Sequence, residues 1–272
     1  MMSGRRSWRR RWHRPGVAVA RLALAAGLTV TAPATAAVEE GAGTPIEIVA
    51  SAIGHHGGDR YQHSETSLEL CSGSGCYQMT VRTAGGMYRH EVSGPYRGRT
   101  RSVRADNTSV SVSLDGEPLA VVAEAGQTLR DWATARIYFA FLPYRLNDPG
   151  VLQEDLGLEE WAGRRLHKVK VSFVAGSSTD AEDEYLYWFD PESGRLEQFA
   201  YSFKGRPGGL RFRRLSNYRR VGGILFFDQS NLGVEAPGLV VDLIDPSFVR
   251  QRMREVSRVE LRDIRVESLA AE

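Results

Sequence analysis

The feature that most constrains this chain is a long succession of short runs in which apolar and polar residues alternate, each closed by Gly, Pro, Asn or Asp. Such runs occupy Ser67–Leu70, Tyr77–Val81, Met87–Val92, Thr100–Arg104 and Ser109–Leu114 in the first half. They return at Leu166–Phe173, Glu184–Asp190, Arg195–Phe203, Leu210–Tyr218, Ile224–Asn231 and Ser257–Val266. Alternation with a period of two buries one face of a strand, and tight turns between runs join neighbours antiparallel. No strand–helix–strand rhythm is present, so a parallel sheet is excluded. The expected architecture is mainly β with a few helices, built on an antiparallel meander.

Two helices are expected against that sheet. Thr44-Pro45-Ile46-Glu47 reads as a capping box with Pro at the first helical position, opening a short helix that ends near Gly54. From Thr128 to Phe141, the residues Leu129, Trp132, Ala133, Ile137, Ala140 and Phe141 recur at helical spacing, and Pro143 and Pro149 stop the run. Tyr138, Phe139 and Leu142 make that helix apolar over a wider arc than one packing stripe needs.

Residues 1–36 stand apart from this pattern. A cluster of arginines precedes an apolar stretch from Gly16 to about Val30, and Ala34-Thr35-Ala36 supplies the small-x-small pattern before Ala37. This is the anatomy of a secretory signal peptide, leaving 37–272 as one β domain that works in the periplasm or outside the cell. The signal segment holds seven of the 35 Lys and Arg residues and none of the 33 Asp and Glu. The formal charge of +2 therefore turns mildly negative in the mature chain. That balance gives no electrostatic reason to expect nucleic acid as a partner. No later segment is long and apolar enough for a transmembrane helix.

Cys71 and Cys76 flank a Gly/Ser-rich tight loop between two strand runs. In an exported chain this predicts a cross-strand disulfide, with metal ligation and free thiols as the alternatives. His55, His56, His63 and His90 lack the spacing of a zinc site, and the acidic run Asp180, Glu182, Asp183, Glu184 lacks that of a calcium loop. Neither a metal nor another cofactor is expected. Lys168 and Lys170 could suggest a Schiff base, but the helices of the barrel that usually carries it are missing. No nucleophile elbow, phosphate loop or metalloprotease helix is found, so no catalytic residue is assigned.

Three segments carry a resemblance: His56-Gly57-Gly58, the run Phe141-Leu142-Pro143-Tyr144-Arg145-Leu146-Asn147-Asp148-Pro149, and Tyr187-Trp188-Phe189-Asp190. On these, over about residues 45–235, the chain resembles the periplasmic lipoprotein-carrier superfamily, and more narrowly an uncharacterised exported branch of it. The cysteine hairpin and the Arg-rich stretch Phe248–Arg258 depart from that pattern. The resemblance implies a curved antiparallel sheet forming an unclosed barrel covered by helices, which holds a lipid, a lipoprotein acyl chain or another amphiphile, without catalysis. Trp132, Ile137, Phe139, Phe141, Tyr187, Phe199 and Tyr201 would line the cavity, between the mid-chain helix and the sheet. Arg145, Asn147 and Asp148 would lock the helix end through backbone caps and a buried Arg–Asp pair. Two other readings use the same fold: a module that docks an envelope protein, and a small-molecule enzyme in a cone-shaped barrel using Arg145 and Asp148.

Overall fold

The computed structural model describes residues 44–269 apart from 74, 85–86, 175–182 and 205–207. The expected signal peptide, and Asp180 and Glu182 of the acidic run, lie outside the described residues.

The first meander comprises β1 Ser64–Ser72, β2 Gly75–Ala84, β3 Met87–Tyr96, β4 Arg99–Asp106, β5 Val110–Leu114 and β6 Glu117–Leu119. The second comprises β7 Val151–Trp161, β8 Arg164–Phe173, β9 Tyr185–Phe189, β10 Leu196–Phe203, β11 Gly209–Val221 and β12 Ile224–Glu235. The last strand, β13 Arg254–Ser268, enters between β1 and β12 and pairs antiparallel with both. It joins two local meanders into one 13-stranded sheet, ordered β6-β5-β4-β3-β2-β1-β13-β12-β11-β10-β9-β8-β7. The edges, β6 and β7, do not pair, so the sheet is unclosed, as the resemblance implies.

Helix α1, Pro45–His56, begins with the expected capping box: Thr44 Oγ1 accepts from the Glu47 N–H and Glu47 accepts from the Thr44 N–H. Helix α2, Ala123–Ala140, starts five residues before the apolar periodicity announces it. Both helices pack on one face of the sheet. There α2 buries Ala133, Ile137 and Ala140 against Met79, Val92, Val103 and Phe226, while α1 buries Val49 and Ala52 near Tyr187, Leu196 and Phe227. The opposite face of the second meander is covered too. Helix α3, Pro246–Arg252, and the turn at Val241–Leu243 pack Val241, Ile244 and Val249 on Trp188, Leu186, Leu210 and Phe212. Cover on both sides explains why β9, Tyr-Leu-Tyr-Trp-Phe, is buried at every position.

Three elements differ from expectation. Strand β7 lies outside the runs expected from the sequence because its alternation puts Leu152, Leu156 and Leu158 outward on a sheet edge, broken by a bulge between Asp155 and Leu158. The Arg-rich departure is α3 and the start of β13. Its opening signal was present: Asp245 Oδ1 accepts from the Phe248 N–H at 2.7 Å with Pro246 at the first helical position. The short edge strand β6 carries no apolar alternation. The cysteine hairpin is as expected: Cys71 and Cys76 are directly opposed in the β1–β2 register and disulfide-bonded. The loop they close is short, so the bond stabilises by less than the ~3 kcal/mol of a 15-residue loop.

Candidate functional site

Helix α2 rests on the sheet through Ala133, Ile137 and Ala140, with a flank on either side of that stripe. On one flank, Ile137 and Phe141 are one turn apart and face the inner surface of β1–β3. The chain leaving α2 at Tyr144, Arg145, Asp148 and Pro149 folds back toward the same place. Between them lies a cavity of about 420 Å³. Its apolar wall is Val81, Ile137 and Phe141, backed by the rings of Tyr61, Tyr88 and Tyr144; its polar wall is Ser64, Thr66, Thr83, His90 and Asn107.

The polar wall is incompletely satisfied. Tyr61 Oη, Thr66 Oγ1 and His90 Nε2 are buried without a hydrogen-bond partner among the described residues. Native proteins rarely leave such atoms unpaired, because each costs about 1–3 kcal/mol. Burial lowers the His90 pKa from its ordinary 6.5 to about 4, with Arg145 and Arg130 nearby adding to the shift. The imidazole is therefore neutral at pH 7. Burial raises the Tyr61 and Tyr144 phenols, so these too stay uncharged. Tyr61 stacks on Tyr144 with ring centres 4.6 Å apart, and Tyr88 on His90 at 5.4 Å. Arg130 braces the wall by donating to the Asp106 carbonyl at 2.8 Å.

In the turn after α2 the expected Arg145–Asp148 pair forms, but it is not buried. Arg145 Nε donates to Asp148 Oδ2 at 2.7 Å, but the side chains are 31% and 38% exposed. A pair so wetted contributes about 0–1 kcal/mol rather than the larger cost of breaking a buried one. Asn147 accepts from Gln153 Nε2 at 3.0 Å, and the same amide donates to the Leu146 carbonyl at 2.7 Å. Gln153 thus ties the turn to β7.

Of the seven residues expected to line a cavity, Ile137 and Phe141 line this one. Phe139 stacks on both Phe199 and Tyr201 at 5.5 Å, Tyr187 stacks on Phe199 at 5.7 Å, and Tyr138 shares a 3.1 Å hydroxyl contact with Tyr187. Tyr187 and Phe199 are fully buried. These rings fill one another's space, so the aromatic wall is packed core here. Trp132 lies on the far flank of α2, edge-on to Tyr77 at 5.7 Å. Sequence reasoning missed Tyr61, Thr66, Val81 and His90. Val81 and His90 sit at inward positions of the expected runs, a signal the alternation carried, whereas Thr66 lies just before the run at Ser67–Leu70 and nothing local marks Tyr61. Glu69, Cys71 and Cys76 come together as metal ligands would, but the sulfurs are bonded to each other.

Among solved structures, the chain is similar to a LolA superfamily protein from Nitrosomonas europaea at 13% identity. That comparison covers 84% of this chain and 96% of the other, with a TM-score of 0.48. A DUF1329 family protein from Desulfovibrio piger is similar at 12% identity, covering 82% of this chain and 93% of the other, with a TM-score of 0.47. No curated protein matches the sequence. A family profile matches residues 86–238, which run from β3 through β12 and include both α2 and the turn that follows it. Matched over more than half its length, the chain belongs to the family of unknown function DUF6503.

Proposed function

We propose that this is an exported, non-catalytic binding protein that holds a small amphiphile in the cavity beside Ile137 and Phe141. The observation that carries the reading is the cavity itself: an apolar wall faces three buried polar atoms that lack partners among the described residues. Its volume falls within the range of about 300–1,000 Å³ typical of small-molecule sites. Each methylene of a ligand placed on the apolar wall would contribute about 0.8 kcal/mol. His90 is neutral at pH 7, and Arg145 is already paired with Asp148. The polar part of the ligand is accordingly a hydroxyl, carbonyl or amide rather than a full charge. The disulfide supports an oxidising compartment.

The neutral fluorescent probe N-phenylnaphthylamine should bind the folded protein saturably and be displaced by a monoacylglycerol. Val81→Trp and Thr83→Trp place an indole in the cavity from half-buried positions. They should reduce binding at least tenfold while far-UV dichroism stays native. Absence of saturable binding to wild type, or unchanged binding in both variants, would remove the reading. Export has its own readout: N-terminal sequencing of protein from the envelope or medium should begin at Ala37 or Val38, and an intact Met1 there would contradict it.

A further inference from the structure

The other flank of α2 holds a different chemistry. Trp132, Arg136 and Phe139 fall on one face of the helix, at i, i+4 and i+7, within roughly 10 Å along its axis. Three arginines meet this stripe. Arg101 of β4 lies 4.4 Å from the centres of both the Trp132 and Tyr96 rings, and Arg136 lies 4.1 Å from Trp132 and 4.9 Å from Tyr77. Arg213 of β11 sits over Phe139 at 5.5 Å and Tyr201 at 5.9 Å.

None of the three guanidiniums has a carboxylate partner among the described residues. The acids nearby are engaged elsewhere: Asp115 with Arg99, Glu235 with Arg211, Asp131 with Gln127. Arg213 is the most informative, being only 9% exposed. Its acceptors are both neutral, the Tyr201 hydroxyl at 3.2 Å and Gln229 Oε1 at 3.5 Å, and its Nε has none. The Nε of Arg101 is likewise buried and unpartnered. Burial lowers the Arg136 pKa against the opposing effect of the Tyr77 hydroxyl, and the nearby Arg101 charge adds to the fall. A buried cation without an anion is costly, and so are like charges drawn toward one indole. Arg136 Nη1 donates to the Trp132 carbonyl at 2.8 Å; ring stacking holds the guanidinium faces and leaves the remaining N–H edges to oxyanions.

We infer that Arg101, Arg136 and Arg213, aligned along the Trp132–Phe139 flank of α2, form a binding site for a phosphate group. The planar N–H fork of arginine matches phosphate oxygens two at a time. The phosphate could belong to a free polyphosphate or to a lipid headgroup. This site lies across the helix from the cavity and does not rest on the amphiphile reading.

Titration calorimetry of the 37–272 protein with inorganic pyrophosphate, and with monomeric lysophosphatidate, tests it. Binding of pyrophosphate points to a soluble ligand, and binding of lysophosphatidate alone points to a headgroup; either supports the site. Arg213→Met should weaken that binding at least tenfold. It should also raise the melting temperature in anion-free buffer, because an apolar side chain replaces an unpaired buried charge. Arg136→Gln, at a half-buried helix position, supplies the same binding measurement should Arg213→Met fail to fold. Val81→Trp should leave phosphate binding intact, which separates failure of this site from failure of the cavity. No binding of either ligand, or undiminished affinity in the arginine variants, would overturn the inference.

Discussion

Lowering the pH from 7 toward 4.5 is expected to destabilise this protein steeply, through two histidines. His56, at the end of α1, is fully buried, and its Nε2 accepts the Leu196 N–H of β10 at 3.1 Å. A protonated Nε2 cannot accept that bond. Burial first, and then the neighbouring His55 charge, lower its pKa from 6.5 to about 3. His90 in the cavity wall is lowered to about 4. In the unfolded chain both take up protons near 6.5, so below that pH the unfolded state binds more protons than the folded one. The stabilisation is complete above about 6.5 and is lost as pH falls toward 4. With each pKa unit equivalent to 1.36 kcal/mol, the two sites together reach the order of several kcal/mol. That is a large share of the 5–15 kcal/mol that holds a typical domain together. Hydrogen-bonded carboxylates such as Glu47 and Asp115 are lowered as well, but they weaken the fold only as pH nears their ordinary range. Urea midpoints measured across this interval should fall steadily. They should fall less in His56→Gln and in His90→Gln. A midpoint that is flat between pH 7 and 4.5 would contradict the assignment of both residues as buried neutral bases.

Phe199→Ala should cost about 3–5 kcal/mol, the range for deleting a large aromatic from a packed core. At roughly 2–4 °C per kcal/mol for a domain of this size, the melting temperature should drop by about 6–20 °C. The ring is fully buried and stacks on Phe139, Tyr187 and Tyr201, which come from α2, β9 and β10. Its removal therefore opens a hole that three elements share. This measurement also decides between two meanings of the aromatic wall. If the wall faced a roomy cavity, truncation would cost little and would impair ligand binding instead. A loss under about 1 kcal/mol with weakened probe binding would restore the cavity-lining role to these residues.

The alternation in β2, β4, β8 and β10 was legible because a strand on a one-sided core writes its orientation every second residue. The α1 capping box and the cysteine hairpin were legible for the same kind of reason: their partners lie within a few residues of each other. Strand β7 was not, because an edge strand can leave leucines in solvent, and its pairing with β8 is what fixes it as a strand. Helix α2 is apolar over more than one packing stripe: Ile137 and Phe141 line the cavity, while Phe139 stacks on the rings of Phe199 and Tyr201. Helical periodicity gives the angle of each side chain around the axis and says nothing about which facing surface is empty.

Local pattern sets the class of this protein: antiparallel strands, two helices against the sheet, and a short disulfide-bonded hairpin. All of these follow from local periodicity and turn chemistry. Only the tertiary structure decided that β13 joins the two meanders by pairing with β1, nearly two hundred residues earlier in the chain. The same closure brings Tyr61, His90 and Phe141 around one cavity and sets Arg101, Arg136 and Arg213 along one flank of α2. Those groupings depend on contacts distant in sequence, where burial and the absence of a partner are properties of the assembled surroundings and not of any segment.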